Sequence, residues 1–136
     1  MQNPPPGQPG KSSTGLEENV AALLSYVFGW ISGLIFFLIE KDSKLVRFHA
    51  MQSILLNVCT AVIALALWIV MFILLLVAGQ ISGVLSSVIG VISFLVYLAF
   101  CVLILIAWVM CLIKAYQRQF FKLPVIGNFA EKFSNK

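Results

Sequence analysis

Polar side chains at helical spacing are the residues best suited to chemistry in this sequence. They are His49, Gln52, Ser53, Asn57 and Thr60. A helix through this part of the chain places all five on one face. They lie at the start of a long apolar segment, where polar groups turn toward neighbouring helices or a water-filled cavity because an unpaired one is costly. Two interpretations stay open: hydrogen bonds that hold helices together, or a polar path or binding site.

Two further observations concern the charged edge of this face. His49 has a side chain that can titrate near neutral pH, and Arg47 beside it could hold a lipid phosphate. A single interfacial arginine is more often a plain anchor, and a single histidine is more often a hydrogen-bonding group than a proton shuttle. We treat Arg47 as the cytoplasmic edge of the polar face.

The remaining reactive side chains give no catalytic or metal-binding pattern. The five acids are Glu17, Glu18, Glu40, Asp42 and Glu131, and all of them lie outside the long apolar runs. The three cysteines lie inside those runs without a CxxC or Cys/His spacing. No glycine-rich phosphate loop or nucleophile elbow is present. The sequence therefore predicts a protein that is not an enzyme and that has no cofactor and no metal.

The composition is that of a membrane protein. Hydrophobic residues make up 61% of the 136 residues and charged residues only 10%, whereas soluble domains carry about 25% charged residues. No charged residue occurs in residues 54–78 or 84–113, and about 20 apolar residues suffice to cross the hydrocarbon. The net charge of +4 comes from basic residues beside these segments, which favours contact with the bilayer and with anionic lipid over nucleic acid.

The segments predict an all-α integral membrane bundle with three transmembrane helices, at about residues 20–39, 54–78 and 84–113. Residues 1–15 are rich in proline and glycine and are expected to be a disordered tail before a membrane domain of residues 16–136. Thr14 and Glu17 suit a capping box at the start of the first helix. The second helix can begin near Lys44, at the interface, and residues 79–83 form a tight turn.

The end of the chain changes character after the third apolar segment. Leu123-Pro124 is expected to stop the third helix, because proline cannot continue one. Phe129, Phe133 and the charges between them then predict a short amphipathic segment at the membrane surface.

Small residues recur every four positions in the first and third helices, an arrangement that allows another backbone to approach closely. They are Ala21, Ser25, Gly29 and Gly33 in the first helix, and Ser82, Ser86 and Gly90 in the third. We predict that both stripes pack helices, with the partner either in the same chain or in a second copy.

The topology follows from the basic residues. With three spans, the first loop and the C-terminal tail share one side of the membrane and hold eight of the nine Lys and Arg residues. The positive-inside rule then predicts an N-terminus outside and a C-terminus in the cytoplasm, in the plasma membrane of a prokaryotic cell. A re-entrant first segment or a fourth pass would invert this assignment.

Three stretches resemble a widespread family of small uncharacterised membrane proteins. They are Gly15-Leu16-Glu17-Glu18-Asn19-Val20-Ala21-Ala22-Leu23-Leu24-Ser25-Tyr26, Val46-Arg47-Phe48-His49-Ala50-Met51-Gln52-Ser53 and Lys122-Leu123-Pro124-Val125-Ile126-Gly127. That family is grouped with Tic-twenty, an import component of the chloroplast inner envelope. The resemblance implies a bundle of membrane helices without known enzymatic activity, and its chloroplast relative is a translocon subunit with four spans.

Two functions are compatible with the sequence. The first is a non-enzymatic multi-pass membrane protein that works through helix packing, as a homo-oligomer or with partner membrane proteins. The alternative is a transporter, channel or protein-translocation subunit with a polar path along the second helix, formed by Gln52, Asn57 and Thr60.

Overall fold

The computed structural model describes Gln2 and residues 10–136 of the chain. The regular secondary structure of the described part consists of helices, apart from one isolated bridge between Lys11 and Glu17, so the all-α prediction is confirmed for it. The helices are α1 (Glu18–Val27), α2 (Trp30–Ile39), α3 (Lys44–Ile81), α4 (Gly83–Tyr116) and α5 (Ile126–Ser134). The chain forms two compact units, the first of Met1–Val58 with Ala107–Lys136 and the second of Cys59–Ile106.

The two long helices match the predicted second and third spans. They contain 38 and 34 residues and are therefore about 57 and 51 Å long, more than the ~30 Å of hydrocarbon. Only 6% of the most apolar 18-residue window of each helix is buried, whereas a core helix of a soluble protein is mostly buried. Both helices thus have the length and the exposed apolar surface of membrane spans.

The start of α3 lies at Lys44, as predicted, because Ser43 caps it. The Ser43 Oγ accepts a hydrogen bond from the Val46 N–H at 3.2 Å, the usual side-chain cap of a helix. The predicted turn at residues 79–83 is shorter than expected, since α3 continues to Ile81 and only Ser82 separates it from α4. The Ser82 Oγ then caps α4 by accepting the Leu85 N–H at 3.1 Å.

The first apolar segment is broken, and the prediction of one continuous span over residues 20–39 is wrong. Phe28 and Gly29 separate α1 from α2, and Gly29 has φ +62°, a left-handed conformation that ends a helix and that glycine adopts without steric cost. Each half has 10 residues and is about 15 Å long, half of the hydrocarbon thickness. The third transmembrane helix is therefore not confirmed, and two candidate spans are found in the described residues.

The two halves form a helical hairpin, because contacts join the residues that precede α1 to those that follow α2. The Ser13 backbone N–H and hydroxyl donate to the Glu40 carboxylate at 3.0 and 2.8 Å, and the Ser43 hydroxyl hydrogen-bonds Glu18. At the other end, the Ser32 hydroxyl accepts the Phe28 N–H and donates to the carbonyl of Ser25, both at 3.1 Å. The chain therefore returns, after α2, to the level at which α1 began.

The N-terminal predictions need one correction. The predicted disordered tail of residues 1–15 falls largely on residues 1 and 3–9, which lie outside the described residues. The capping box is wrong, because Glu17, not Thr14, is the N-cap of α1 and its side chain makes no capping hydrogen bond. Instead, the Glu18 N–H donates to the carbonyl of Gly10 at 3.0 Å, so a returning stretch of backbone takes the place of a side-chain cap.

Proline does not end α4 as predicted, since α4 stops at Tyr116, well before Pro124. The Arg118 N–H bonds to Ala115 at 3.1 Å and the Gln119 N–H bonds to Lys114 at 3.0 Å, and Arg118 has φ +59°. These are the two bonds of a Schellman motif, in which glycine normally takes the left-handed position. Arginine at that position is not a recognisable stop signal, so this helix end could not be located from the sequence.

The predicted C-terminal segment forms helix α5, with Phe129 and Phe133 exposed. Its position at the membrane surface stays a prediction. Residues 117–125 join α4 to α5 and end in a turn in which the Gly127 N–H donates to the Leu123 carbonyl at 2.9 Å. A Cβ on Gly127 would lie 2.6 Å from the Lys122 Cα, closer than real side chains approach. Glycine is therefore required at this position of the stretch from Lys122 to Gly127.

Candidate functional site

Three completely buried polar side chains from α1 and α3 form a cluster in the first unit: Tyr26, His49 and Gln52. The Tyr26 hydroxyl lies 3.0 Å from the His49 Nδ1, and the Gln52 Nε2 donates to the same hydroxyl at 3.2 Å. Two members, His49 and Gln52, belong to the predicted polar face of α3. The third, Tyr26, lies on α1, for which the sequence predicts only a packing role. We call these three residues the buried polar cluster.

The neighbours of His49 define its tautomer. Its Nε2 lies 2.9 Å from the carbonyl oxygen of Gln119, which can only accept, so Nε2 carries the proton. Nδ1 is then the acceptor of the Tyr26 hydroxyl proton, and the Tyr26 oxygen in turn accepts from Gln52. Donors and acceptors alternate without conflict along this chain, which is the condition for a stable buried network.

Gln52 connects the cluster to the segment after α4. Its Nε2 donates to the carbonyl of Phe121 at 3.0 Å, and its Oε1 accepts the Leu123 N–H at 3.4 Å. The Cys111 Sγ, on α4, lies 3.5 Å from the same Nε2. One amide thus joins α1, α3, α4 and the C-terminal segment, and these pairings across some 70 residues of sequence could not be predicted from local spacing.

The other predicted polar residues also bind their own chain. The Ser53 Oγ donates to the Gly29 carbonyl at 3.0 Å, where the α1–α2 hairpin turns, and the Asn57 Nδ2 donates to the Ser53 carbonyl at 2.9 Å. Thr60 is half-buried and belongs to the second unit. The arrangement brings His49, Gln52, Ser53 and Asn57 into structural hydrogen bonds of the first unit.

Arg47 is held in place by backbone carbonyls. Its Nη1 donates to the carbonyl of Glu40 at 2.8 Å and its Nε to the carbonyl of Ser134 at 3.3 Å. Its guanidinium also lies 4.7 Å from the centre of the Phe37 ring. The side chain therefore ties the end of α2 to the end of α5.

The small residues of the first stripe pack inside the chain. Ala21 and Ser25 are fully buried. A Cβ on Gly33 would lie 2.9 Å from the Ala50 carbonyl oxygen, and one on Gly29 would lie 3.1 Å from the Asn57 Oδ1. The stripe is therefore the surface on which α3 approaches the α1–α2 hairpin.

The small residues of the second stripe lie at the start of α4, in the second unit. Ser82 caps the helix, Ser86 is half-buried, and a Cβ on Gly90 would lie 3.9 Å from the Leu75 Cδ2 on α3. Gly90 thus faces the other helix of the same unit, at an ordinary contact distance.

Glu40 is a buried carboxylate between α2 and α3 that sequence reasoning assigns only to a loop. It accepts backbone N–H groups of Ser13, Asp42 and Ser43 at 3.0, 3.0 and 2.9 Å, as well as the Ser13 hydroxyl. Burial raises the pKa of this carboxyl, but the hydrogen bonds together lower the pKa by more than burial raises it. The pKa therefore lies below its usual value. The ionised form is therefore the one that holds the open ends of the hairpin together.

A depressed pKa makes the contribution of Glu40 to stability dependent on pH. The contribution is complete above the unfolded pKa of about 4.3 and is lost as the pH falls through the lower folded pKa. We expect Glu40→Gln to lower the melting temperature of the purified protein at pH 7, with the difference from wild type shrinking toward pH 3. Glu17→Gln, at an exposed acid, is the control. A difference that stays constant from pH 7 to pH 3 would contradict this.

The described residues contain no group of three His, Cys, Asp or Glu side chains that could hold a metal ion. The buried polar cluster is joined by hydrogen bonds between its own side chains. The first unit also holds two ion pairs, Arg118 with Glu18 at 3.3 Å and Lys122 with Glu131. A hydrogen bond from Lys122 lowers the pKa of Glu131.

Two long helices with exposed apolar surfaces, together with a charged, hydrogen-bonded unit, define a multi-pass helical membrane protein. The model of the magnetosome magnetite crystal formation protein family matches residues 16–130, so the chain belongs to that family. A UPF0132 membrane protein of Methanocaldococcus jannaschii is 39% identical over 92% of this chain and 96% of its own length. Another, of Archaeoglobus fulgidus, is 38% identical over 86% of this chain and 95% of its own.

These relatives support the assignment to an uncharacterised family of integral membrane proteins. The matches give no evidence for the relation to Tic-twenty. No solved structure matches the chain.

Proposed function

We propose that this is a non-enzymatic membrane protein that works through contacts with a second copy or with partner membrane proteins. The proposal is supported by the hydrogen bonds of the buried polar cluster. Its side chains bind one another and the chain's own backbone. They stabilise the first unit rather than forming a reaction centre. What remains for contact is the apolar surface of the two long helices, where Trp68 is 55% exposed.

The same hydrogen bonds weaken the alternative of a transport path. A path along the second helix needs polar groups that face water, but Gln52 and Asn57 donate to Phe121 and Ser53. Exchanging these hydrogen bonds for bonds to water would not lower the free energy, because both amides already have partners inside the protein. We therefore favour a packing role for this face.

We further propose that both termini lie in the cytoplasm. The α1–α2 hairpin returns the chain to the side on which it began, so the N-terminal segment, the first loop and the C-terminal segment share one side. All nine Lys and Arg residues lie outside residues 59–106, which contain no charged residue. The positive-inside rule then supports a cytoplasmic position for that side. This replaces the expectation of an external N-terminus, which assumed a continuous first span.

The family description, which concerns magnetite crystal formation, is consistent with a protein that organises other components at a membrane. A direct contact with mineral is not part of the proposal. The proposal is limited to contacts made through helix surfaces in the bilayer.

Cysteine cross-linking in native membranes tests the proposed contacts. Single cysteines replace exposed residues along α3 and α4, among them Val84, Val88 and Val91 on one face of α4, in a variant whose own cysteines are alanine. We expect covalent dimers or heteromers at some exposed positions with helical periodicity, and none at Gly90, which faces α3. Cross-links that are absent at every exposed position of α3 and α4, or that rise only with expression level, would contradict the proposal.

A further inference from the structure

A basic groove lies in the first unit. It has a volume of about 750 Å³ and is lined by Lys41, Lys44, Arg47, Glu131, Ser134, Asn135 and Lys136. Four of these side chains are cationic and one is anionic. The single acid is already paired with Lys122, which does not line the groove. The groove is thus an electropositive site built from the first loop, the start of α3 and the end of α5.

Arg47 gives this groove a fixed element. Its Nη1 and Nε are bound to the carbonyls of Glu40 and Ser134, and the Phe37 ring supports its guanidinium. Holding an arginine in advance lowers the entropy cost of binding an anion. Among the described residues, no hydrogen bond uses the Arg47 Nη2 or the ammonium groups of Lys41 and Lys44. These groups are therefore available to bind an anion.

The surroundings of the groove indicate where its ligand comes from. The Phe133 ring is 41% exposed and its centre lies 5.6 Å from the Nζ of Lys136, which lines the groove. Leu38, three residues before Lys41 in the sequence, is 66% exposed. Apolar side chains exposed next to lysines are typical of the level at which hydrocarbon meets headgroups. A soluble anion makes no favourable contact with apolar side chains. A phospholipid can place its phosphate beside the cations and its acyl chains against such residues.

We propose that this groove binds the phosphate headgroup of an anionic phospholipid in the cytoplasmic leaflet. The lysines attract the charge, and the Nη2 of the preset Arg47 guanidinium donates a charge-assisted hydrogen bond to a phosphate oxygen. The site rests on the proposed cytoplasmic position of the first unit, but it does not depend on helix contacts with other proteins. Its failure would therefore leave the proposed contacts untouched.

Native mass spectrometry of the whole protein in detergent tests the site, with added phosphatidylglycerol or phosphatidylcholine of matched acyl chains. We expect wild type to retain phosphatidylglycerol about tenfold better than phosphatidylcholine, and Lys41→Gln with Lys44→Gln to lose most of that preference. The matched control is Lys11→Gln with Lys114→Gln, which removes the same charge outside the groove and should change the preference less than about twofold. The variant of Lys41 and Lys44 should melt at the wild-type temperature, because neither side chain bonds to a described residue.

Three results would overturn the proposal. Equal retention of both lipids by wild type would mean that no headgroup is selected. Equal losses in both double variants would mean that net charge alone attracts the lipid. Displacement of phosphatidylglycerol by a large excess of inorganic phosphate would assign the groove to a soluble phosphate instead of a lipid.

Discussion

Gln52→Leu is expected to lower the free energy of unfolding by about 2–4 kcal/mol, because a buried polar group that loses its partner costs about 1–3 kcal/mol and this substitution strands several. Leucine is close to glutamine in size, so the main change is the loss of hydrogen bonds. The Phe121 carbonyl, the Leu123 N–H and the Tyr26 hydroxyl would each lose a partner. The residues that link α4 to α5 would then detach first.

Two measurements on the purified protein check this expectation. Unfolding in mixed micelles gives the stability, and limited proteolysis reports cleavage between α4 and α5. Gln117→Leu makes the same chemical change at an exposed position and should leave both measurements near wild type. If Gln52→Leu behaves like Gln117→Leu, the buried polar cluster does not stabilise the first unit as described.

Gly33→Leu is the second substitution with a large expected effect, a loss of about 3 kcal/mol, at the upper end of typical overpacking costs. The first atom of any side chain at Gly33 would lie 2.9 Å from the Ala50 carbonyl oxygen and 3.2 Å from both Ser53 and Ile54. The larger part of the leucine would force α3 away from the hairpin. The contact between Ser53 and the hairpin turn would be lost with it.

Gly79→Leu is the matched control, because Gly79 is also helical but a Cβ there would meet no atom within 4 Å beyond its own stretch of helix. Leucine there should be neutral or stabilise the helix by up to about 1 kcal/mol, since glycine is a poor helix former. The same unfolding measurement and size-exclusion profile serve both variants. Similar stability for the two variants would contradict close packing of α3 against the α1–α2 hairpin.

The long helices could be predicted from sequence because their signal is local. Residues 54–78 and 84–113 contain no charge, and α3 and α4 include both ranges completely. The amphipathic α5 is likewise visible from the spacing of Phe129 and Phe133. These elements are stabilised by their apolar length or by their periodicity. Both properties can be recognised within one continuous stretch of sequence.

The hairpin could not be predicted in the same way. Residues 20–39 are as apolar as a span, and the break depends on the left-handed conformation of Gly29 and on Ser53, which binds its carbonyl from α3. The small-residue stripe is recognisable from spacing, but spacing does not distinguish a partner in this chain from one in a second copy. The structure places α3 of the same chain against Gly33.

The polar face of α3 could likewise be predicted only in part, because its members follow from spacing and their hydrogen-bond partners do not. Helical spacing identifies its members on α3, whereas Tyr26, Gln119 and Phe121 bind them from segments far away in sequence. Arg118 in a left-handed helix stop and Glu40 as a buried acceptor also depend on such contacts. Spacing thus identifies which residues face inward, while their partners follow from the tertiary fold.

The accessibility of single cysteines in intact cells is the most direct test of the hairpin and of the topology that follows from it. Gln2→Cys, Gln80→Cys and Asn135→Cys occupy exposed positions in a variant whose three native cysteines are alanine, and a membrane-impermeant maleimide labels them. Because the α1–α2 hairpin returns the chain to its starting side, we predict external labelling of Gln80→Cys alone, with the two others reacting only after permeabilisation. Labelling of Gln2→Cys from outside, with Asn135→Cys protected, would contradict the hairpin and restore three full crossings.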